Sequence, residues 1–503
     1  MKLEVTKDIV LRDYNKLKSI AFKFYEKRRI KESLISIEVA CDLMYNFNLL
    51  YCDDDIEKLI HTISRVYCHD DNEIYFSPKE NKVAFYDYFA LDNRGLTQQY
   101  LRALMKLGYE ILYITHASNN KQTSNILREL DNYNKSNIYF IEGKNFYRIS
   151  QEITREIIRY EPKRIFVHTI PNDLGCLLAI DKFEKKIERY LINITDHAFW
   201  VGKSFFDYYI EFRNFGYSIS SRERKIPESK LCLLPYYPIR NIEDTFEGFP
   251  FNEKDKKIIF SGGSIYKIYG SNFFLDTVKY ILNKYEDTVF LYVGNGDTEY
   301  VNDFIKINNF ETRFFLISER KDINKIFEKC YFYLNTFPLI GGLMSQYAVL
   351  NKKIPVTFHE KDTDWNTVEE LLLNIKNIKL SYCEVNEYYE EIDKLIRDQE
   401  YKRKKENMLN DLVISSEEFS VRLSSIIHHN NERLTNTASI VNIDKFSKIY
   451  FNKQNSYCGN YQNIFIKRKN ASIFIFFKKY LIIALVNKTI RVWKSKIIKF
   501  NKV

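Results

Sequence analysis

The sequence predicts an α/β protein with two doubly wound units, preceded by a helical module and followed by a basic tail. Apolar, strand-like runs alternate with amphipathic helical stretches from residue 82 to residue 430, as in parallel sheets covered by helices. One irregular stretch, 235–256, interrupts this alternation with three prolines and predicts a hinge. The 503 residues suffice for two or three domains with separate cores. The expected domains are 1–75, 82–240, 250–430 and 431–503.

The N-terminal module is predicted from helical spacing of apolar residues. Residues such as Ile20, Ala21 and Phe24 recur at intervals of three and four within 9–67. The Ala and Tyr placement resembles a tetratricopeptide pair, although the full repeat signature is absent. A docking module and a helical cover on the next domain fit this pattern equally well. The acidic run 53–55 is interpreted as a helix N-cap with a solvated face.

Strands and helices alternate through both central units. In the first unit the predicted strands are 83–89, 110–115, 138–141, 164–168 and 191–195, with helices at 97–107, 122–131 and 148–159. In the second unit the predicted strands are 257–261, 288–293, 313–317, 331–334 and 354–358. Residues 384–428 are expected to form helices that close the second unit.

Composition excludes several classes of protein. With 45% apolar residues the chain is globular and not disordered. The eight cysteines are scattered, without a Cys-x-x-Cys pair, and no signal peptide is evident. They are interpreted as reduced thiols, so a cytoplasmic location is expected.

The net charge of +10 comes from the tail. Residues 445–503 contain 14 Lys and Arg and no Asp or Glu, and without them 62 basic residues face 66 acidic ones. The body of the protein therefore requires no nucleic-acid partner. Within the tail, Lys478 and Lys479 interrupt the apolar stretch 471–487. The uninterrupted apolar run is therefore shorter than the roughly 20 residues that a membrane-spanning helix needs. The tail is expected to attach peripherally to an anionic membrane surface; a basic helix packed on the body is the alternative.

Two glycine turns in the second unit predict an anion site. The segment IIFSGGSIYKIYG at 258–270 reads as a strand, the turn Gly262-Gly263, and Lys267. The segment NTFPLIGGLMSQYAVL at 335–350 reads as a strand end, the turn Gly341-Gly342, and a helix. Glycines let a backbone approach a phosphate, and a helix N-terminus offers N–H groups and a positive dipole end. Two such turns, one with a cation, indicate a nucleoside-diphosphate site.

A general base is expected at the carboxyl ends of the strands of the first unit, because ligands of open α/β sheets bind there. Asp196 and His197 directly follow the strand 191–195, and His168 ends the strand 164–168. A histidine titrates near neutrality and suits this role. Either histidine is alternatively a structural residue bonded to the backbone. Asp196 either orients His197 or is itself the base; the sequence leaves both open.

Other polar residues are placed near the same cleft. Arg94 and Gly95 lie between the first strand and first helix of the first unit, where a loop faces a phosphate or an acceptor. Glu211 and Arg213 follow the strand near 208–210. They either line the cleft or form a structural ion pair.

Three segments together resemble the inverting O-GlcNAc transferase family and its bacterial protein-glycosylating relatives. The segment 199–238 resembles that family's WLG…DYII…EKL…MP block, YKI at 266–268 resembles its lysine tripeptide, and 338–355 aligns with its nucleotide turn and helix. The resemblance covers roughly 83–428. It implies a GT-B fold of two facing Rossmann-like domains, a UDP-sugar donor whose diphosphate contacts Lys267, and a glycan or protein acceptor.

Departures from the family pattern qualify the expected site. The family's Asn-Gly-His-Thr-Thr stands here as Gly341-Gly342-Leu343-Met344-Ser345, and Ala348 replaces an expected aspartate. Binding by this turn would depend on backbone N–H groups and Ser345. No Asp-x-Asp motif follows a strand of either unit, so metal-independent transfer without a cofactor is expected. The absence of the paired glutamates of retaining enzymes favours inversion. A retaining transferase and a non-catalytic GT-B subunit that binds a partner enzyme remain alternatives.

Overall fold

A computed structural model describes most of the chain. The described residues are 5–67, 76–93, 96–240, 245–363, 366–373, 375, 377–429, 440–456, 460–466, 476–480, 482 and 486. They form two parallel sheets with helices on their faces, three helices before the first sheet, and a returning C-terminal segment. This is the predicted α/β architecture.

The N-terminal module consists of three helices, α1 (Lys7–Glu26), α2 (Ile30–Phe47) and α3 (Asp54–Tyr67). The helices α1 and α2 pack closely against each other through their apolar faces, as the three-and-four spacing requires. Asp53 caps α3, because its carboxylate accepts hydrogen bonds from the backbone N–H groups of Asp55 and Ile56. The predicted N-cap is thereby confirmed.

The first domain is a seven-stranded parallel sheet with the order β3-β2-β1-β4-β5-β6-β7. Its strands are β1 (Lys79–Asp87), β2 (Glu110–His116), β3 (Ser136–Ile141), β4 (Pro162–His168), β5 (Glu188–Asn193), β6 (Tyr208–Glu211) and β7 (Leu231–Leu233). Its helices are α4 (Thr97–Lys106), α5 (Ser124–Asp131), α6 (Phe146–Tyr160), α7 (Leu174–Ile180) and α8 (Asn214–Arg222). The strand order reverses between β1 and β4, which opens a crevice at their carboxyl ends.

The second domain is a six-stranded parallel sheet with the order β10-β9-β8-β11-β12-β13. Its strands are β8 (Lys257–Gly262), β9 (Thr288–Val293), β10 (Phe314–Ile317), β11 (Phe332–Leu334), β12 (Pro355–Phe358) and β13 (Ser381–Tyr382). Its helices are α9 (Phe273–Lys284), α10 (Glu299–Ile307), α11 (Ile323–Lys329), α12 (Gly342–Leu350), α13 (Val385–Arg397) and α14 (Gln399–Asn407). The order reverses between β8 and β11, so both glycine turns leave the sheet at this reversal.

The helix α15 (Ser416–Ile427) returns to the first domain. It packs on α4, and the Phe419 ring lies edge-on to the Tyr100 ring with centroids 5.1 Å apart. The expectation that residues 384–428 all close the second unit is therefore wrong for α15. Its apolar face completes the core around β1 and α4, which would otherwise be exposed there.

The described part of the tail folds back onto the helical module. The helices α16 (Ile443–Ser456) and α17 (Asn460–Ile466) pack on α2. The hydroxyls of Tyr461 and Tyr480 both donate to the buried carboxylate of Asp13. For these residues the structure corresponds to the alternative of a helix packed on the body, because aromatic side chains here cover the apolar face of α2. The rest of the apolar stretch 471–487 lies outside the described residues, apart from 476–480, 482 and 486.

Among the described residues, none of the helices combines the length and the apolar composition that a bilayer crossing needs. The six cysteines among the described residues are all free thiols.

Candidate active site in the interdomain cleft

The two glycine turns of the second domain meet at the strand reversal. The Lys267 ammonium donates a hydrogen bond to the carbonyl of Ile340, with the two atoms 3.1 Å apart. A Cβ on Gly262 would lie 3.0 Å from the Met344 methyl group of the second turn. Gly263 has φ of +122°, a conformation open to glycine and strained for other residues. Glycine in the first turn is therefore required both for the chain path and for the approach of the second turn.

The second turn opens directly into α12. Gly341 is the N-cap and Gly342 the first residue of this nine-residue helix. The first N–H groups of a helix lack intrahelical partners and stand at its positive dipole end. Lys267 lies beside this helix start. A lysine and a helix N-terminus that converge in this way can bind a phosphate or diphosphate.

Lys267 is held in an environment that penalises its charge. Burial, and then the nearby positive charge of Arg213, lower the pKa of Lys267 to about 8. An incoming dianion would relieve both effects, because it replaces lost hydration and offsets the charge of Arg213. The lysine is therefore electrostatically prepared for an anionic ligand.

Ser345 is occupied within its own turn. Its buried hydroxyl donates to the carbonyl of Gly341 at 2.9 Å and accepts from the Asn335 amide at 3.0 Å. The carbonyl oxygen of that amide accepts from the Gly341 N–H at 2.9 Å. Ser345 thus fastens the turn, and Ala348 is fully buried. The expectation that Ser345 would bind the ligand directly is therefore not favoured by this arrangement, and the polar groups expected to meet a ligand here are the backbone N–H groups at the start of α12.

Asp196 and His197 lie just beyond β5 on the opposite wall. The Nδ1 of His197 is 3.1 Å from the Asp196 carboxylate, and the histidine side chain is 27% exposed while Asp196 is fully buried. The guanidinium of Arg213 also donates to Asp196, at 2.5 and 3.1 Å. Burial alone would raise the pKa of Asp196, but Arg213 and His197 outweigh it and lower the pKa to about 2. Asp196 is therefore ionised at neutral pH, and its carboxylate contacts both His197 and Arg213.

Two residues that sequence reasoning missed hold this loop in place. Fully buried Arg224 donates to the backbone carbonyls of Thr195, Asp196 and Ala198. The side-chain amide of Asn48, at the end of α2, donates to the carbonyl of His197 at 2.9 Å. In the sequence, Arg224 belongs to the charged run SRERK and looks like a surface residue. Only its contacts with the carbonyls of 195–198, more than 20 residues earlier in the chain, identify Arg224 as a residue that supports the loop.

Glu211 and Arg213, for which the sequence offered an ion pair as one alternative, bond to different partners in the structure. Arg213 pairs with Asp196, while Glu211 accepts hydrogen bonds from Asn193 and Ser220. Burial raises the pKa of Glu211 to about 7. The two carboxylates of Asp196 and Glu211 are separated by Gly216, where a Cβ would lie 2.7 Å from the Asp196 Cβ and 2.6 Å from a Glu211 oxygen.

Several hydrogen bonds join the two walls of the cleft. The Glu370 carboxylate of the second domain accepts from the backbone N–H of Phe215, at the start of α8, at 3.1 Å. The amide of Gln346 donates to the Tyr236 carbonyl at 2.9 Å, and the Tyr347 hydroxyl donates to the Ile239 carbonyl at 2.7 Å. These bonds hold the two walls of the cleft together, and the charge of Arg213 on one wall is near enough to lower the pKa of Lys267 on the other.

His168 occupies a separate, buried network. It is fully buried, and its Nδ1 is 2.9 Å from the Asp87 carboxylate at the end of β1. Burial raises the pKa of Asp87, but the charge and hydrogen bond of His168 outweigh it, and the net shift is downward. His168 thus joins β4 to β1 through the Asp87 side chain, whereas the structural alternative drawn from the sequence was a bond to the backbone. Arg94 and Gly95, predicted to face the cleft, lie outside the described residues.

The described residues were also expected to work without a metal ion. These contain no group of three or more His, Cys, Asp or Glu side chains arranged to hold a metal ion.

Comparison by sequence finds no match: no family model matches the chain, and no curated protein sequence does. Solved structures match it remotely. A mutant of the Thermobaculum terrenum O-GlcNAc transferase is 13% identical with a TM-score of 0.50, covering 88% of this chain and 82% of that one. A Rickettsia africae glycosyltransferase is 13% identical with a TM-score of 0.50, covering 71% and 100%. An Anabaena protein, HepE, solved with UDP and glucose, is 11% identical with a TM-score of 0.50, covering 69% and 99%.

These similarities establish the fold. Two parallel, doubly wound sheets face one cleft, as in the glycosyltransferases of the comparison, and the chain has the predicted GT-B fold. The expected structural resemblance to an O-GlcNAc transferase is also confirmed at the level of the fold.

Proposed function

We propose that the protein is a glycosyltransferase that moves a sugar from a UDP-sugar to a hydroxyl of a glycan or protein acceptor, with inversion and without a metal ion. The observation that carries this proposal is the meeting of two sets of groups in one cleft. Lys267 and the start of α12 form the anion site of the second domain, and the Asp196–His197 pair lies on the first. Arg213 links the two sets, because it is bonded to Asp196 and its charge lowers the pKa of Lys267.

In the proposed reaction each group has one task. The acceptor oxygen attacks the anomeric carbon of the donor, and its proton passes to Nε2 of His197, the nitrogen directed away from Asp196. The Asp196 carboxylate stabilises the resulting imidazolium. The bond between the anomeric carbon and the phosphate oxygen breaks, and UDP leaves with that electron pair. Lys267 and the dipole of α12 stabilise the negative charge that develops on the departing diphosphate.

The choice of a uridine nucleotide and of the acceptor is supported by similarity alone. HepE was solved with UDP and glucose, and the Thermobaculum protein is an O-GlcNAc transferase. The sequence resemblance around 266–268 and 338–355 points to the same donor class. Peripheral attachment to an anionic membrane remains a proposal for the basic residues of 481–503, which lie almost entirely outside the described part.

One observation favours a second candidate, a GT-B subunit that binds a partner enzyme without catalysis. The Ser345 hydroxyl is bonded within its turn and Ala348 is buried, so neither of these two side chains of α12 presents a polar group to a ribose or a base. The exposed surface of the three-helix module would then serve as the partner site.

The test is incubation of the full chain with a panel of UDP-sugars. The proposal expects thermal stabilisation by UDP and release of UDP when a donor and acceptor are present. NMR of the product gives its anomeric configuration and separates inversion from retention. Failure of every nucleotide to stabilise the protein, with correct folding, would favour the non-catalytic subunit.

A further inference from the structure

The helix α16 of the tail touches all three parts of the molecule at the candidate site. Phe446 packs on Phe215 of the first domain, with ring centroids 5.5 Å apart. The Ser447 hydroxyl donates to the carbonyl of Asn48 in the helical module at 3.0 Å. The Lys445 ammonium is 3.7 Å from the Glu360 carboxylate of the second domain. The helix therefore spans one side of the cleft.

Tyr450 is the residue of α16 that contacts His197 of the Asp196–His197 pair. Its ring lies 5.5 Å from the imidazole of His197, centroid to centroid, at an interplanar angle of 34°. Tyr450 is 7% exposed and packs with Tyr51, Phe215 and Phe446 in one apolar cluster. The ring is therefore fixed by its surroundings, and it limits the orientations open to the more exposed imidazole.

The same helix also supports the backbone of His197. Ser447 holds Asn48, and the Asn48 amide in turn donates to the carbonyl of His197. Side chain and main chain of His197 are thus both in contact with elements that α16 secures. The Asp196 contact fixes one edge of the imidazole, and the Tyr450 ring fixes one face.

We infer that α16 is part of the active site and that Tyr450 is a positioning residue for His197. This inference rests on the proposed function, because it takes His197 as the base. It gives α16 a role in the reaction in addition to its packing on the body. A loosely held base loses the near-attack geometry, and a displacement of about 1 Å costs roughly 100-fold in rate.

The neighbouring hydroxyls are consistent with this role. Burial, followed by the hydroxyls of Tyr45 and Tyr266, raises the pKa of Tyr450 well above its ordinary value. Tyr450 therefore stays a neutral phenol and does not compete with His197 for the proton. Tyr45 comes from α2 and Tyr266 from the turn that carries Lys267.

The test compares three variants of the full chain, Tyr450→Ala, Tyr450→Phe and Phe451→Ala. Phe451 is the matched control, because it is similarly buried on the same helix but packs on Phe47 of α2. The expected result for Tyr450→Ala is a loss of about 10- to 100-fold in kcat for UDP release from a working UDP-sugar, with UDP affinity by calorimetry unchanged. Tyr450→Phe should restore turnover, and Phe451→Ala should lower the melting temperature but retain kcat.

A second measurement does not depend on activity. In protein labelled at histidine, the His197 NMR signal, assigned by its loss in His197→Gln, should shift in Tyr450→Ala and stay in place in Tyr450→Phe. An unshifted signal, unchanged or increased turnover in Tyr450→Ala, or an equal loss of kcat in Phe451→Ala would overturn the inference. If no UDP-sugar is turned over, the proposed function fails, and the NMR comparison still decides the contact.

Discussion

The ammonium of Lys267 donates to the carbonyl of Ile340, with the two atoms 3.1 Å apart, and so joins two turns that are distant in sequence. The carbonyl belongs to the residue just before Gly341, where the N-terminus of α12 begins. The backbone N–H of Leu339 donates in return to the carbonyl of Lys267. A cation and a helix dipole are thereby held in one fixed relationship, which is the basis of the first two predictions.

Replacement of Lys267 by alanine should weaken UDP binding by about 10- to 100-fold. A charge-assisted hydrogen bond to phosphate contributes roughly 1.5–3 kcal/mol, and this contact is the one removed. Calorimetric titration with UDP measures the effect. Lys279→Ala is the control, because Lys279 is exposed on α9 of the same domain. This variant should bind UDP with the affinity of the wild type. Equal affinities in the wild type and Lys267→Ala would remove Lys267 from the site.

The affinity for UDP should depend on pH through Lys267. Its pKa is lowered to about 8 in the free protein, so the ammonium form that binds the diphosphate is fully present below that pH. As pH rises above about 8, binding must first restore the proton, and affinity should fall by up to tenfold per pH unit. Calorimetry between pH 7 and pH 10 checks this, with the slope expected to disappear in Lys267→Ala. A slope that survives in the variant would assign the titration to another group.

His197→Gln and Asp196→Asn should each lower turnover by about 10²- to 10⁴-fold while UDP still binds. The first substitution removes the proton acceptor, and the second removes the charge that orients and stabilises it. Asp196→Asn should also destabilise the fold by about 3–5 kcal/mol, because it leaves Arg213 buried without its carboxylate partner. Turnover is therefore measured below the melting temperature of each variant. Near-normal rates in both would point to a substrate-assisted reaction.

Gly216→Ala should destabilise the protein by about 1–3 kcal/mol and disturb the Asp196–His197 pair. The added methyl group would lie 2.7 Å from the Asp196 Cβ and 2.6 Å from a Glu211 oxygen, both buried. Chemical denaturation measures the stability, and UDP release measures the second effect. Ser221→Ala, at a more exposed position of the same helix, should be close to neutral. A fully stable Gly216→Ala protein would show that α8 can move away from Asp196.

Two truncations separate the parts of the tail. A chain ending at residue 440 loses α16 and α17, exposes the apolar face of α2, and should melt at a lower temperature. A chain ending at residue 480 keeps these contacts and should melt at the temperature of the full chain.

The chain ending at residue 480 also lacks the six Lys and Arg of 481–503. Each of these charges would contribute about 1 kcal/mol to binding at an anionic membrane surface. Co-sedimentation with anionic and neutral liposomes tests whether this segment binds membranes, and equal sedimentation with and without it would exclude such a role.

Much of the local structure could be predicted from the chain. Long apolar strands followed by amphipathic helices are recognisable by their periods, so the predicted strands 110–115 and 288–293 agree closely with the observed β2 and β9. The short strands β7 and β13 were missed, because two or three residues carry no period. The destination of α15 was also predicted wrongly, since its apolar face does not specify which of two sheets it covers.

The sequence by itself determined the α/β class, the two glycine turns and the acid–histidine pair, because each of these is encoded by neighbouring residues. Glycine spacing, strand periodicity and the position of Asp196 and His197 after a strand are all local. Only the tertiary structure decided that Arg213 and Arg224 hold that pair, that His168 is buried, and that Tyr450 of the tail lies on His197. These contacts join residues far apart in the chain. Charge and apolar character reveal which side chains can make such contacts, whereas the partners are selected by how the domains and the tail pack together.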